Sequence, residues 1–220
     1  MPFPSPDTTH PVVFPDGTRF QGTVFLNAVL DEPGLSIGDY TYYSDDEMPA
    51  PDLMRRRLFP YLYGAQRIEI GKFCSLAMGV SFVTDSANHR YDGFSAFPFA
   101  IFDGMSPERA SMPPRPPRPT RVGHDCWLGR GAMLLPGAVL GNGVIVGAGA
   151  VVGGVAPDYS IVAGNPGRVV RRRFPEAVIA RLNALAWWDW PIDHILAHEA
   201  AICGADLDAL EAAAAALPKA

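Results

Sequence analysis

From Val122 the chain falls into blocks of six: VGHDCW, LGRGAM, LLPGAV, LGNGVI, VGAGAV and VGGVAP. The first position of every block is aliphatic, running Val122, Leu128, Leu134, Leu140, Val146 and Val152. The second is glycine except at Leu135, and the fifth is small or modest in size: Cys126, Ala132, Ala138, Val144, Ala150 and Ala156. Neither a 3.6-residue nor a two-residue period produces this spacing. A hexad with an aliphatic corner is the pattern of a parallel β-helix, in which three hexads close one triangular coil. The aliphatic side chains point into the prism and stack on their equivalents above and below. The small fifth residue fills the space that remains, and glycine relieves backbone crowding near the corner. Each coil pairs with the next, so open strand edges are expected only at the two ends.

Weaker hexads lie upstream, beginning at Ile37, Ile70 and Leu76. The same rule places Cys74 and Cys126 inside the prism as packing residues. With only three cysteines in 220 residues and no CxxC spacing, a disulfide scaffold is excluded and reduced thiols are expected. Apolar residues make up 48% and charged residues 19%, which argues for a substantial core and against wholesale disorder. The net charge of −5 excludes a general nucleic-acid footprint. Residues 131–157 carry no charge, but their glycines, Pro136 and fixed period are not those of a lipid-facing helix. The opening MPFPSPDTTH has neither a basic residue nor an apolar run, so no signal peptide is expected, and the predicted location is cytoplasmic.

The repeats are interrupted between about 82 and 121. This insert is aromatic in its first half and rich in proline and arginine in its second, with PPRPPRP expected to run as a stiff, extended return path. A loop so long on a repeat scaffold is commonly functional. Residues 43–67 form a second non-repeat segment. The expected organisation is therefore mainly β: a β-helix domain over 1–174 and an α-helical cap over 175–220 that covers the open end of the stack. Within the cap, PEAVIARLNALAWW and PIDHILAHEAAICG each start with a proline suited to a first turn, and ADLDALEAAAAALPKA forms a third helix.

The ordered set IGKFCS, NHRYDGFSAFPF, VGHDCWLG, AGNPGRVVRRRF and WWDWPID resembles the xenobiotic acetyltransferases, the hexapeptide-repeat enzymes that include chloramphenicol and streptogramin A acetyltransferases. The resemblance runs from Ile37 to about His194. It implies a left-handed β-helix, a homotrimer with active sites between subunits, and transfer of acetyl from acetyl-CoA to a hydroxyl of a small-molecule acceptor, without metal, nucleic acid or membrane. His89, inside Asn88-His89-Arg90, matches the family's catalytic histidine. An alcohol attacks a thioester poorly at neutral pH unless a base takes its proton, and imidazole is poised for that task. Asp85 and Asp92 are the local candidates for orienting the ring.

For coenzyme A, Gly147 and Ala148 offer close backbone approach, as do Gly153 and Gly154. The last two stand where many hexapeptide acyltransferases carry a lysine, and Arg168 or Arg171 would replace that phosphate contact. Trp127 flanks either the pantetheine arm or a subunit contact, whereas Trp187, Trp188 and Trp190 are expected to pack the cap. Tyr42, Phe94, Phe97 and Phe99 line an aromatic acceptor cavity, the alternative for each being interface packing. Three other functions remain open on this scaffold: sugar or polysaccharide O- or N-acetylation, a non-catalytic trimeric binding module, and zinc chemistry of the γ-carbonic anhydrase kind. The last lacks its spacing, since His124 has no histidine four or five residues on and His194 and His198 fall in the cap.

Overall fold

The computed structural model describes residues 2–47, 50–63, 65–104 and 118–217. Fifteen short strands follow in chain order: β1 (Thr23–Phe25), β2 (Leu35–Ile37), β3 (Tyr42–Ser44), β4 (Ile68–Ile70), β5 (Ser75–Leu76), β6 (Ser81–Phe82), β7 (Thr120–Val122), β8 (Trp127–Leu128), β9 (Met133–Leu134), β10 (Val139–Leu140), β11 (Ile145–Val146), β12 (Val151–Val152), β13 (Val155–Ala156), β14 (Ser160–Ala163) and β15 (Arg168–Arg172). They build three faces. The first has the order β1-β3-β5-β8-β11-β14-β15, the second β13-β10-β7-β4-β2, and the third β12-β9-β6. Pairing is parallel throughout, except that β1 and β15 run antiparallel to β3 and β14 and cover the two edges of the first face.

The hexads account for this prism. Each repeat contributes one outward and one inward residue per strand. Leu128, Leu134, Leu140, Val146 and Val152 are all buried, as are the fifth-position residues from Cys126 to Ala150. Cys74 and Cys126 lie in the same core, their thiols directed at the carbonyls of Gly123 and Gly141, each at 3.1 Å. The second-position glycine at one corner is a steric necessity. A Cβ on Gly71 would meet the Gly123 oxygen at 2.6 Å, and one on Gly123 would meet the Asn142 nitrogen at 2.7 Å. At that corner the backbones of successive coils are stacked too closely for any side chain to intervene.

Neither insertion disturbs the stack. Leu35 pairs with Ile68 and Tyr42 with Ser75 across the 43–67 segment. Ile68 pairs with Thr120, Ser75 with Trp127 and Ser81 with Met133 across the long loop. In the first segment α1 (Pro51–Leu58) replaces a strand on the third face. Its buried Met54 and Leu58, followed by Phe59 against Phe82 at 5.1 Å, close the core where β6 has no neighbour below.

Two sequence expectations need correction. The sixth block is not a full hexad: Val139 pairs with Val155 and Leu140 with Ala156, so Gly153 and Gly154 form a shortened corner and Ala156 occupies the inward position of an aliphatic residue. Gly154 has φ +74, a conformation that lets the chain turn within so few residues. The second correction concerns the C-terminal helices, α2 (Glu176–Leu185), α3 (Ile192–Ala197), α4 (Glu199–Gly204) and α5 (Leu207–Ala215). Their contacts fall on the corner turns between the second and first faces, not on an open end. Trp187 meets Phe73, Trp188 stacks on His124, Lys72 pairs with Asp189, and Asn183 bonds to Asn142 and Asp158. The expected second helix also breaks at His198 into α3 and α4.

That corner has a further regularity. Tyr40, Phe73, Asp125, Gly143 and Tyr159 occupy equivalent positions in successive coils, and all have φ between +52 and +64. For a residue with a Cβ this conformation costs roughly 1–2 kcal/mol. Aromatic contacts offset the strain: Tyr40 stacks on Phe73 at 4.9 Å, Phe73 packs on Trp187, and Tyr159 packs on Phe174. At the other corners glycine supplies the same conformation, as at Gly79, Gly131, Gly137 and Gly149.

Candidate active site

The long loop leaves β6 at the corner between the third and second faces. Its stem is built around Asp85, at the start of a single 3₁₀ turn. The Asp85 carboxylate accepts from Asn88 Nδ2 at 3.3 Å, from the backbone N–H of Arg118 at 3.3 Å and from Arg118 Nη2 at 3.4 Å. Its own N–H donates to Gln66 Oε1. The Asp85 side chain therefore ties the outgoing strand of the loop to the returning one, and its backbone N–H ties it to the segment before β4.

His89 follows within the loop and is exposed. Its Nδ1 lies 3.0 Å from the carbonyl oxygen of Ala96. A carbonyl can only accept, so Nδ1 is the donor in this contact, and in the neutral imidazole the lone pair is then on Nε2. The orienting group is thus a backbone carbonyl, which no residue pattern announces. Neither local carboxylate does this work: Asp92 is paired with Arg90 at 2.7 Å, and Asp85 holds the stem.

The aromatic half of the loop is unusually bare. Phe94 is fully exposed, and Phe97, Phe99 and Phe102 are each more than half exposed. Phe97 stacks on Phe102 at 5.3 Å and meets Phe99 at 4.7 Å, forming an apolar knob. Exposed apolar clusters of this kind are characteristic of interaction and ligand-binding surfaces. Most of the PPRPPRP stretch lies outside the described residues.

The other predicted residues fall in separate places. Tyr42 and Trp127 share the outer side of the first face, with Ser75 between them. Trp127 is 55% exposed there. Gly147 and Ala148 turn the corner between the first and third faces, with Ala148 exposed. Gly153 and Gly154 turn the third-to-second corner, the one from which the loop departs. Arg168 and Arg171 stand exposed on β15 at the edge of the first face. Among the described residues neither has a carboxylate partner, in contrast to Arg172, which bonds to Asp158 O and Glu176, and Arg173, which bonds to Gly143 O. In a triangular prism the His89 stem and the Trp127 face lie on opposite sides of the core. One chain does not bring them together.

The predicted packing residues behave as such. Trp187, Trp188 and Trp190 are all at least nine-tenths buried and form the core of the helical layer. His194 bonds to Ala213 O and lies against His198 within that layer. Among the described residues no three histidine, cysteine or acidic side chains converge as a metal site would require, and no helix is long and apolar enough to cross a membrane.

Residues 119–154 match the family model for bacterial transferase hexapeptide (six repeats). The chain is 34% identical over 195 residues to a chloramphenicol acetyltransferase of Escherichia coli, covering 87% of this chain and 92% of that one. It is also 34% identical over 190 residues to a virginiamycin A acetyltransferase of Staphylococcus aureus, covering 85% of each. Among solved structures, a hexapeptide-repeat-containing acetyltransferase of Vibrio cholerae O1 biovar eltor, complexed with acetyl coenzyme A, aligns at a TM-score of 0.46 with 19% identity over 65% of this chain and 62% of that one. The repeat scaffold with its long loop thus defines a hexapeptide-repeat transferase. More specifically, the chain belongs to the xenobiotic acetyltransferase family, and it is an acetyltransferase.

Proposed function

We propose that the chain transfers acetyl from acetyl-CoA to one hydroxyl of a small, largely apolar acceptor of the antibiotic kind, with His89 as general base. The observation that carries this reading is the Nδ1 contact of His89 with Ala96 O, which leaves Nε2 free to act. In this scheme Nε2 takes the hydroxyl proton as the alcohol oxygen attacks the thioester carbonyl. The imidazolium then returns that proton to the departing thiolate, so no acyl-enzyme is formed. A positioned base of this kind contributes about 10²–10⁴-fold.

The remaining residues support a site shared between subunits of a homotrimer wound from left-handed coils. The exposed aromatic knob needs a covering surface, and a neighbouring copy would set its Trp127 face beside the His89 loop. Tyr42, Phe94 and Phe97 would then line the acceptor side. Trp127, Gly147, Ala148, Gly153 and Gly154 would lie along the pantetheine arm. Arg168 and Arg171, unpaired with any described carboxylate, would hold the phosphates. The relatives named for chloramphenicol and virginiamycin A support an acceptor of that class over a sugar. The three cysteines are unpaired, in keeping with a reducing, cytoplasmic setting.

The test is release of free CoA thiol over a panel of acceptors including chloramphenicol, a streptogramin A and simple sugars, with mass measured in parallel. A trimer that releases thiol with an antibiotic acceptor supports the proposal. Release with sugars alone overturns the acceptor class, and a monomer with full activity overturns the shared site.

A further inference from the structure

The pairing register lines up one row of outward side chains along the first face. Tyr42 pairs with Ser75, Ser75 with Trp127, Trp127 with Ile145, Ile145 with Ile161 and Ile161 with Arg171. The residues that follow them on β3, β5, β8, β11 and β14 point into the core and are buried. The row therefore runs parallel to the prism axis, one side chain per coil, at about 4.8 Å per step.

Ser75 is the small member of this row. It has an aromatic side chain one step away on either side, so it forms the floor of a slot between Tyr42 and Trp127. The buried hydroxyls of the coils are all engaged: Thr41 donates to Gly71 O, Thr120 accepts from the Gly137 N–H and Ser160 donates to Pro157 O. The Ser75 hydroxyl faces outward and has no hydrogen-bond partner among the described residues.

Two roles proposed above meet at this residue. Tyr42 stands on the acceptor side and Trp127 along the pantetheine arm. Transfer takes place where donor and acceptor touch, and Ser75 is the step between the two rings. The length of the donor leads to the same place. From phosphate to thioester carbonyl the arm has about 14 bonds, spanning roughly 17 Å when extended. Arg171 lies four steps from Ser75, a distance of ~19 Å. A phosphate held by the Arg171 guanidinium thus sets the thioester carbonyl beside the Ser75 hydroxyl. Attack on that carbonyl builds negative charge on its oxygen, which a base such as His89 cannot hold and a fixed O–H donor can.

We infer that the Ser75 hydroxyl is the oxyanion donor of the reaction, bonding to the thioester carbonyl oxygen; this rests on the acetyl-transfer reading above. As His89 Nε2 takes the acceptor proton, the acceptor oxygen bonds to the carbonyl carbon and the C=O electron pair moves onto oxygen, where the Ser75 O–H stabilises it. The carbonyl then re-forms, the C–S bond breaks and the imidazolium proton passes to the thiolate. Ser75 keeps its own proton throughout.

The test compares Ser75→Ala and Ser75→Thr with the unaltered chain in thiol release, using acetyl-CoA and the fastest acceptor of the panel above. Ser75→Ala should lower kcat by about 10²-fold or more, with both KM values held within about threefold and the pH profile unmoved. Ser75→Thr restores a hydroxyl and should return kcat to within about tenfold of the unaltered chain. Binding of CoA, which lacks the carbonyl, should be equal in all three chains by calorimetry. An unchanged kcat in Ser75→Ala overturns the inference. So does a loss confined to KM, a loss of CoA binding, or a Ser75→Thr chain no faster than Ser75→Ala. An unaltered chain that releases no thiol with any acceptor overturns the acetyl-transfer reading and this inference with it, whereas turnover that survives Ser75→Ala overturns the role of Ser75 alone.

Discussion

The prism and the long loop are held by opposite kinds of physics. In the prism the inner strands pair on both sides, the aliphatic positions from Leu128 to Val152 are buried, and the contacts repeat one coil later. In the loop, His89 depends on one carbonyl, the stem depends on one carboxylate, and the largest side chains face outward. The first region is closed by its own packing, whereas the aromatic side chains of the second stand exposed. Stability and chemistry are therefore expected to separate cleanly between them.

The largest contrast is His89→Ala. Turnover measured by thiol release should fall by about 10²–10⁴-fold while the melting temperature stays unchanged, because the ring contributes nothing to the core. Equal loss of stability and activity would contradict the separation. The converse is Leu134→Ala, which empties a fully buried position in the third face. It should cost about 2–5 kcal/mol in denaturant unfolding, with the specific activity of the folded fraction retained.

Asp85→Ala sharpens the comparison, since it unties the loop stem without touching His89 itself. Activity should fall roughly tenfold through misplacement of the base, with the pH dependence of the remaining activity unaltered. A shifted pH profile would mean that Asp85 acts on the imidazole directly.

Within the prism, Gly131→Ala isolates conformation from contact. A Cβ there meets nothing within 4 Å, but φ is +68, so the expected cost is about 1–2 kcal/mol. Gly71→Ala, where the added carbon would strike backbone, should cost more.

The smallest effect concerns the helical layer. His124 accepts the Lys72 N–H at Nδ1 and stacks on Trp188 at 5.0 Å, and burial holds its pKa below the usual value, with Lys72 adding to the effect and Asp189 opposing it. A depressed histidine contributes stability above its unfolded value of about 6.5, and that contribution is lost as pH falls through the folded value. The melting temperature should therefore decline below about pH 6.5, and His124→Phe should flatten the decline.

The scaffold was legible in the sequence because burial repeats with the coil. The positions of Leu128, Cys126 and their equivalents follow from the six-residue period alone, and so do the boundaries of the loop. The shortened corner at Gly153–Gly154 escaped because Val152 and Ala156 still satisfy a hexad by residue type. The fourth position was missed for a related reason. It is filled by glycine at the other two corners but mostly by Tyr40, Phe73, Asp125 and Tyr159 where helices press on it, and side-chain chemistry hides a backbone requirement. Amphipathic helices reveal that they need an apolar partner but not which one, so the layer was expected over an open end. At the site, the motif around His89 was legible, whereas the Ala96 carbonyl that aims the ring was not. Its value lies in where the chain bends back, not in what residue stands there.

The register across the long loop has an evolutionary consequence. Because Ser81 still faces Met133 and Thr120 still faces Ile68, the excursion leaves one face and rejoins the next with the register of both unchanged. The scaffold therefore places no demand on the excursion's length or content, provided the two anchor points remain. Selection can lengthen or replace that segment while the stack that carries it stays the same.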